Sequence, residues 1–427
     1  MQMRFGVIAD DLTGGLIVAS LLEREGFRCP LVTTPRIVAM LVDAEAVVVA
    51  RRTRHIPAKD AVIDFDLAAS AFLDAKVRQI YYKYCATFDS NDDGNIGPCA
   101  DLLKRKVGAD YIGFCPAFPD WNVNVYLGYL FVRGQLVSES PKRFDPVMPM
   151  LNPNLVSVLQ GQTQIKVGLI SHDILAKGLG ACQRHVEVLA NDGVRYFMMD
   201  AIDNTDVIRC VELTAEWPVM TGGDAIPIFL ARLWRKREKI PFNPDSVKPL
   251  EHLEGHGAVI AGSCADMTIE QLDFFEKDHP VLRIDLLKAA RDDRVVDHSI
   301  DWAADRLGRG PIAISTSTTP DKVANIQKTL GRLNAARFAE DILGKIATGL
   351  FDLGTRRFVI AGGETCGAVV NALGVLRMRV APYNAPGEGY CLAVDPQPIS
   401  MLLKPGKVGA IDLFESALGK MQGIGNK

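Results

Sequence analysis

The sequence predicts two α/β domains with mainly parallel sheets. Three observations carry that expectation. Short apolar runs alternate with longer segments of helical period, the alternation breaks once near the middle of the chain, and it then restarts. A length of 427 residues also exceeds what one hydrophobic core comfortably serves.

In the first part FGVIA precedes GLIVASLLEREG, AEAVVVA precedes AKDAVIDFDLAASAFLDAK, QIYYKY precedes GPCADLLKRKVG, and ADYIGFCPAF follows. Each pair reads as a strand and the crossover helix that returns the chain to the same edge of a parallel sheet. The pattern breaks in RKREKIPFNPDSVKPLEHLEGHG, which is charged, holds three prolines and has little apolar periodicity. An N-terminal domain of residues 1–240, a linker of 241–256 and a C-terminal domain of 257–427 are expected. After the break come AVIAGS, TIEQLDFFEKD, VLRIDL, PIAIST, one long helical stretch from VANIQKTL to GLFDLG, RFVIAGG, CGAVVNALG and MRVAPYN. Neither a short-period repeat nor a low-complexity tract occurs.

Composition excludes several function classes. Lys+Arg of 48 against Asp+Glu of 51 gives a formal charge of -3, so nothing drives the chain as a whole toward nucleic acid or an anionic membrane. No window reaches the roughly 18 apolar residues that span a bilayer. MQMRFGVIADD enters a strand almost at once, without a signal-peptide core, and a cytoplasmic location is expected. The nine cysteines are scattered without CxxC spacing and read as reduced, mostly buried residues, with no metal site. No Ser-His-Asp order, GxSxG elbow, GxGxxG or Walker loop is present. His55 and His172 are lone histidines and read as structural.

Four stretches place reactive groups where strands end and helices begin, the edge of an α/β sheet that binds ligands. In IADDLTGG, Asp10 and Asp11 close a strand and repel each other, so a cation, a hydroxyl or dipoles must face them; a helix cap is the bland alternative for either one. In YKYCATFDSNDDGNIGP, Lys83 ends a strand, and Asp89, Ser90 and Asn95 lie in a polar loop that suits a small hydroxylated acid or is simply a solvated turn. AGGETCGAVVNALG joins a buried strand to a helix through Gly362 and Gly363, offering free N–H groups to phosphate oxygens; AGSCADMT has the same form at Ser263. In LLKPGKVGAIDLFESAL, Lys404 and Lys407 flank a Pro-Gly turn that can neutralise a polyphosphate or be a basic surface turn. Arg52 and Arg54, after an apolar strand, suit a substrate carboxylate better than the neighbouring histidine does.

Taken in order, IADDLTGG, VVARRTRHIPAKDAV, YKYCATFDSNDDGNIGP, CPAFPDWNVNVYLGYLFVRGQLVSES, AGSCADMTIEQL, AGGETCGAVVNALG and LLKPGKVGAIDLF resemble the four-carbon acid sugar kinase family, through nearly the whole chain. The family includes 3-oxo-tetronate, D-threonate and D-erythronate kinases, and CATFDSNDDGNIGP looks most like the first. The resemblance implies an N-terminal domain holding the acid sugar and a C-terminal domain holding ATP. It further implies an active-site cleft between the two and transfer of the γ-phosphoryl group to the C4 hydroxyl, with Mg2+ accompanying ATP. Carried over, it places Asp10, Asp11, Arg54, Lys83, Asp89, Ser90 and Asn95 around the acid. Around the nucleotide it places Ser263, Gly362, Gly363, Glu364, Thr365 and Gly406. Asp11 or Asp10 is expected to orient and deprotonate the hydroxyl, with Lys83 and Arg54 on the carboxylate. The alternatives are a non-catalytic or weakly active homologue that binds sugar acid and nucleotide, and a kinase for D-threonate or D-erythronate. The pattern leaves room for a homodimer.

Three departures from the family pattern bear on this. Thr13-Gly14-Gly15 stands where TGA is expected, RFDPVMPM with Asp145 and Pro146 where HPLTPM is expected to end the segment, and KPGKVG where KSGNFG is expected. Pro405 and Lys407 thus remove a hydroxyl and an amide, and the proline also deletes a backbone donor. Glu388, in the unusual segment PGEGYCLAVDPQ, adds a negative charge on the side assigned to phosphate.

Overall fold

A computed structural model describes residues 3–145, 147–239 and 251–423. It divides into two compact units, Met1–Val247 and Lys248–Lys427. Of the expected linker, residues 241–250 lie outside the described residues, as does Pro146.

The strands of the first unit are β1 (Phe5–Ala9), β2 (Leu31–Val32), β3 (Ala46–Ala50), β4 (Gln79–Lys83), β5 (Ile112–Cys115), β6 (Val123–Tyr126), β7 (Tyr129–Val132), β8 (Gln135–Leu136), β9 (Val167–Ile170), β10 (Tyr196–Met199) and β11 (Val219–Gly222). Eight of them form one sheet in the order β2-β3-β1-β4-β11-β5-β10-β9, and every pairing in it is parallel. Helices cover a parallel sheet on both faces, which is why β1 and β3 read as unbroken apolar runs and are buried throughout. The remaining strands, β6-β7-β8, make a small antiparallel sheet after β5 that apolar periodicity did not reveal.

Register fixes what reaches the functional edge. Ala9 pairs with Ala50 on one side and with Lys83 on the other, and Gly222 pairs with Lys83. The C-terminal ends of β3, β1, β4 and β11 therefore lie side by side, and the residues that follow them share one edge. A row of aromatic rings, Phe65, Tyr82, Tyr84 and Phe88, with centroids 4.5, 5.3 and 5.4 Å apart, runs from the core to the loop after β4. Phe88 at φ 65° and Asp89 at φ 42° then take left-handed backbone conformations that cost a non-glycine residue about 1 kcal/mol or more each. Buried rings hold this loop in a conformation it would not otherwise adopt.

The second unit holds β12 (His256–Ala261), β13 (Val281–Arg283), β14 (Ile312–Ser315), β15 (Thr355–Ala361), β16 (Arg377–Val380), β17 (Tyr390–Asp395) and β18 (Ile399–Lys404), in the order β13-β14-β12-β15-β18-β17-β16. Pairings are parallel from β13 to β18, whereas β17 runs antiparallel to both neighbours. Its core packs Val259, Val359 and Leu402 of the central strands against Leu272, Phe275, Phe414 and Leu418 of the helices. The single long helix expected after β14 is two, Pro320–Leu330 and Arg332–Asp352, because Gly331 at φ 81° breaks the run.

Candidate active site

Asp10 and Asp11 follow β1 directly, and each finds a different partner set. The guanidinium of Arg54, on the loop after β3, donates from Nε and Nη2 to the two Asp10 oxygens, both at 2.8 Å, and from Nη2 to Asp11 Oδ1 at 2.6 Å. Asp10 N–H donates to Lys83 O, and its carbonyl accepts from Thr53 and Arg54 N–H, so the backbone is tied to the strand ends on either side. Asp11 also caps the helix Leu12–Arg24, accepting from Gly14 N–H at 3.0 Å and from the Thr13 hydroxyl at 2.6 Å. The capping reading and the charge-pair reading thus both hold for this residue. Its side chain is 21% exposed against 3% for Asp10, so Asp11 presents the reachable carboxylate of the two.

Lys83 is buried behind them. Its ammonium donates to Tyr84 O at 2.8 Å and pairs with Asp224 at 3.3 Å. A Cβ at Gly14 would stand 2.4 Å from Asp11 Oδ1 and 3.0 Å from Lys83 Nζ, so only glycine lets the helix start this close to both charges. At Gly15, where alanine is expected in the family, a Cβ would meet Ala9, Val48 and Ala50 at 3.0 to 3.4 Å, which makes that departure a matter of strand–helix packing. Burial would raise the Asp11 carboxyl, but Arg54 and Lys83 outweigh it and hold the group below the usual carboxylate range. Burial would lower Lys83, but Asp224, Asp10 and Asp11 hold its pKa above the ordinary lysine value. Three carboxylates thus face two cations at four adjacent strand ends.

The loop after β4 adds a second pair. Lys142, on the short 3-10 turn Pro141–Phe144, reaches Asp89 at 2.7 Å and Asp145 at 3.5 Å. Burial would raise Asp89, yet Lys142 and then Arg54 bring it down to about 2, helped by the Thr87 hydroxyl 2.7 Å away. Ser90 and Asn95 are engaged by the protein: Ser90 accepts from Gln162 Nε2 at 2.8 Å, and Asn95 Nδ2 donates to Thr53 O at 2.7 Å and Ile56 O at 3.0 Å. Asn95 therefore steadies the loop that carries Arg54. His172 is held by Asp206, with Nδ1 at 2.9 Å from the carboxylate.

Sequence reading missed Asp224 and Lys142. The signal for the first was present in PVMTGGD, which ends a strand on two glycines and a carboxylate much as IADD does. Both glycines are required, since a Cβ at Gly222 or Gly223 would lie 2.2 Å from a backbone oxygen. Lys142 stands just before the segment RFDPVMPM that departs from the family pattern, and only the chain path through β6-β7-β8 brings it to Asp89.

In the second unit Ser263, Gly362, Thr365 and Gly406 converge from three loops. A Cβ at Gly406 would stand 2.0 Å from Ser263 Oγ, and one at Gly362, where φ is 121°, would meet Thr365 Oγ1 at 2.9 Å and Ser263 N at 3.2 Å. Gly363 and Glu364 form the exposed first turn of the helix Gly363–Ala372. Glu388 is turned to other work: it pairs with Lys420 at 3.0 Å and accepts from Asn384 at 2.7 Å. Lys404, expected near phosphate, is fully buried beneath the turn, whereas Lys407 is exposed at its tip. Burial pushes the Lys404 ammonium down to about 8.

Residues 5–228 match the family model described as a sugar-binding N-terminal domain, and residues 258–414 match the one described as a nucleotide-binding C-terminal domain. A 3-oxo-tetronate kinase of Burkholderia multivorans is 40% identical over 98% of this chain and 97% of its own length. The chain belongs to the four-carbon acid sugar kinase family. A 3-oxo-tetronate kinase of Cupriavidus necator is 39% identical, again over 98% of this chain and 97% of the relative. Among solved structures, a Salmonella typhimurium LT2 protein of 30% identity superposes with a TM-score of 0.84 over 97% of this chain and 98% of that one. Two α/β domains with mainly parallel sheets are thus the family's architecture as well as this chain's. No helix among the described residues is long and apolar enough to cross a membrane.

Proposed function

We propose that this protein is an ATP-dependent kinase that phosphorylates the terminal C4 hydroxyl of a four-carbon acid sugar, specifically a 3-oxo-tetronate. The observation that carries the reading is the cluster at four strand ends, where Arg54 bridges Asp10 and Asp11 in front of buried Lys83. Full-length relatives named 3-oxo-tetronate kinase support the substrate class.

Phosphoryl transfer asks for positioning, charge neutralisation and one acceptor for the hydroxyl proton. In this proposal Asp11 orients the hydroxyl and takes its proton as the oxygen bonds the γ-phosphorus and the bond to the ADP oxygen breaks. Asp10, locked on Arg54, keeps that geometry and is the second candidate for the base. Asp10 and Asp11 use Nε and Nη2 of Arg54, so Nη1 is the nitrogen a substrate carboxylate would meet; Lys83 contributes charge from behind. Asp89 and Lys142 offer an acceptor and a donor to the polar end of the acid, and Ser90 and Asn95 shape that loop. Ser263, Gly362, Gly363, Glu364, Thr365 and Gly406 surround the nucleotide. Mg2+ enters with ATP and would be held chiefly by its phosphates, because no group of three or more metal-ligating side chains occurs among the described residues. ATP as co-substrate favours a cytoplasmic location.

The test is ADP release from Mg-ATP with a panel of four-carbon acids and a no-acid control. Release that depends on a 3-oxo-tetronate is expected. Release with D-threonate or D-erythronate alone would move the substrate, and ATP binding without acid-dependent release would favour the weakly active homologue that Pro405 suggests.

A further inference from the structure

Three buried polar side chains lie beneath the nucleotide cradle, apart from the groups that take part in the transfer. Lys404, Thr268 and Gln271 are each 0% exposed. Lys404 is the last residue of β18, and the other two face it from adjacent turns of the helix Asp266–Phe275. The ammonium spends its three N–H donors on Gln271 Oε1 at 2.7 Å, Thr268 Oγ1 at 3.1 Å and Gly406 O at 3.2 Å. The Thr268 hydroxyl donates to Gly406 O at 2.8 Å, and Gln271 Nε2 donates to Ala410 O at 2.7 Å, with a longer contact of 3.5 Å to Val408 O. All three side chains thus end on backbone carbonyls of the turn that begins at Pro405.

Two consequences follow from elementary chemistry. In a trans peptide the N–H points opposite to the C=O, so pulling the carbonyls of Gly406 and Ala410 onto the helix turns the N–H groups of Lys407 and Ile411 away from it. Neither N–H donates to a backbone acceptor among the described residues. Second, a buried ammonium without a counter-ion is unfavourable, and no carboxylate pairs with Lys404 among the described residues. A methionine would fill the space without that cost, so the charge has a use. The clamp also grips backbone atoms alone, which makes it indifferent to Pro405 and Lys407 standing where serine and asparagine are expected.

We propose that Lys404, Thr268 and Gln271 are positioning residues that hold the turn 405–411 with its backbone N–H groups and a buried positive charge presented to the phosphates of the nucleotide. This rests on the kinase reading. An oriented set of amides with a cation behind it selects a polyphosphate rather than a base or a neutral sugar.

The experiment measures affinity for Mg-ATP and for adenosine by calorimetry, and KM for each substrate, in the full-length chain carrying Gln271→Leu, Thr268→Val or Lys404→Met. Mg-ATP affinity is expected to fall about tenfold or more, with adenosine affinity and the acid's KM within about twofold of wild type. Thermal melting identifies the variants that fold, and Thr268→Val, the mildest change, keeps the test open if the others do not. Equal loss of Mg-ATP and adenosine affinity, or unchanged Mg-ATP affinity in folded Gln271→Leu and Thr268→Val, would overturn the clamp and leave the kinase reading intact. A wild-type chain that binds no Mg-ATP would overturn both.

Discussion

The two candidate sites are built on opposite principles. At the strand ends of the first unit, ionised side chains face one another: Asp10, Asp11 and Asp224 against Arg54 and Lys83, with Asp89 against Lys142 beside them. In the second unit the cradle is built of glycine, serine and threonine, and the cation buried beneath it, Lys404, donates to Gln271, Thr268 and the Gly406 carbonyl. The first arrangement suits a small acid that must be oriented by charge and relieved of a proton. The second suits a polyphosphate, whose own charge is met by N–H groups that cannot lose theirs. Side-chain substitutions should therefore dominate in one unit and backbone crowding in the other.

Removing Arg54 should break the first site most severely, because it leaves Asp10, Asp11 and Asp224 facing Lys83 alone. Arg54→Met is expected to cost about 3 kcal/mol in urea unfolding and to abolish acid-dependent turnover; a stability within about 0.5 kcal/mol of wild type would show that the pairs are solvated and weak. Asp11→Asn keeps the shape and one capping oxygen, so it should lower turnover by at least about a hundredfold with little change in melting temperature. In the second unit Gly406→Ala adds only a methyl group, yet it collides with Ser263 Oγ at 2.0 Å. The KM for ATP should rise about tenfold while that for the acid stays put, as steady-state kinetics with each substrate varied would reveal.

A further effect is a pH dependence at Asp89 of the first unit. Asp89 has its pKa brought down from 3.8 to about 2, so the unfolded chain binds its proton first as pH falls. Its stabilisation is fully present above pH 3.8 and is lost between 3.8 and about 2, amounting to about 2 kcal/mol. Comparing urea unfolding of wild type and Lys142→Met at pH 5 and pH 2.5 should show the difference shrink at the lower pH. A difference that stays constant would show that Lys142 does not hold Asp89 ionised.

How legible each site was follows the same division. Asp10, Asp11 and Lys83 stood out because a parallel strand is apolar until its last residue, so a charge there announces the functional edge. Gly362 and Gly363 stood out for the complementary reason that a strand meeting a helix through glycine lets another group approach the backbone closely. Asp224 carries the same mark, but its partner Lys83 lies 141 positions upstream, and only the placement of β11 next to β4 joins them. Lys142 gave less warning still, since the antiparallel sheet that delivers it follows β5 without a helical crossover. Lys404 was visible as a basic residue in a turn, yet nothing local showed it pointing inward, because its acceptors Thr268 and Gln271 sit on a distant helix. Gly331 divided what the apolar period alone reads as one long helix.

In the proposed reaction Asp11 of the first unit takes the proton of the C4 hydroxyl as that oxygen is phosphorylated. Its most direct test is phosphorus NMR of the product formed from Mg-ATP and a 3-oxo-tetronate, coupled to the proton spectrum, for wild type and for Asp11→Asn. One phosphate ester is expected, its phosphorus coupled to the C4 methylene protons, formed by wild type and depleted by at least about a hundredfold in the variant at equal times. An ester at another carbon, or one formed equally fast by Asp11→Asn, would contradict it.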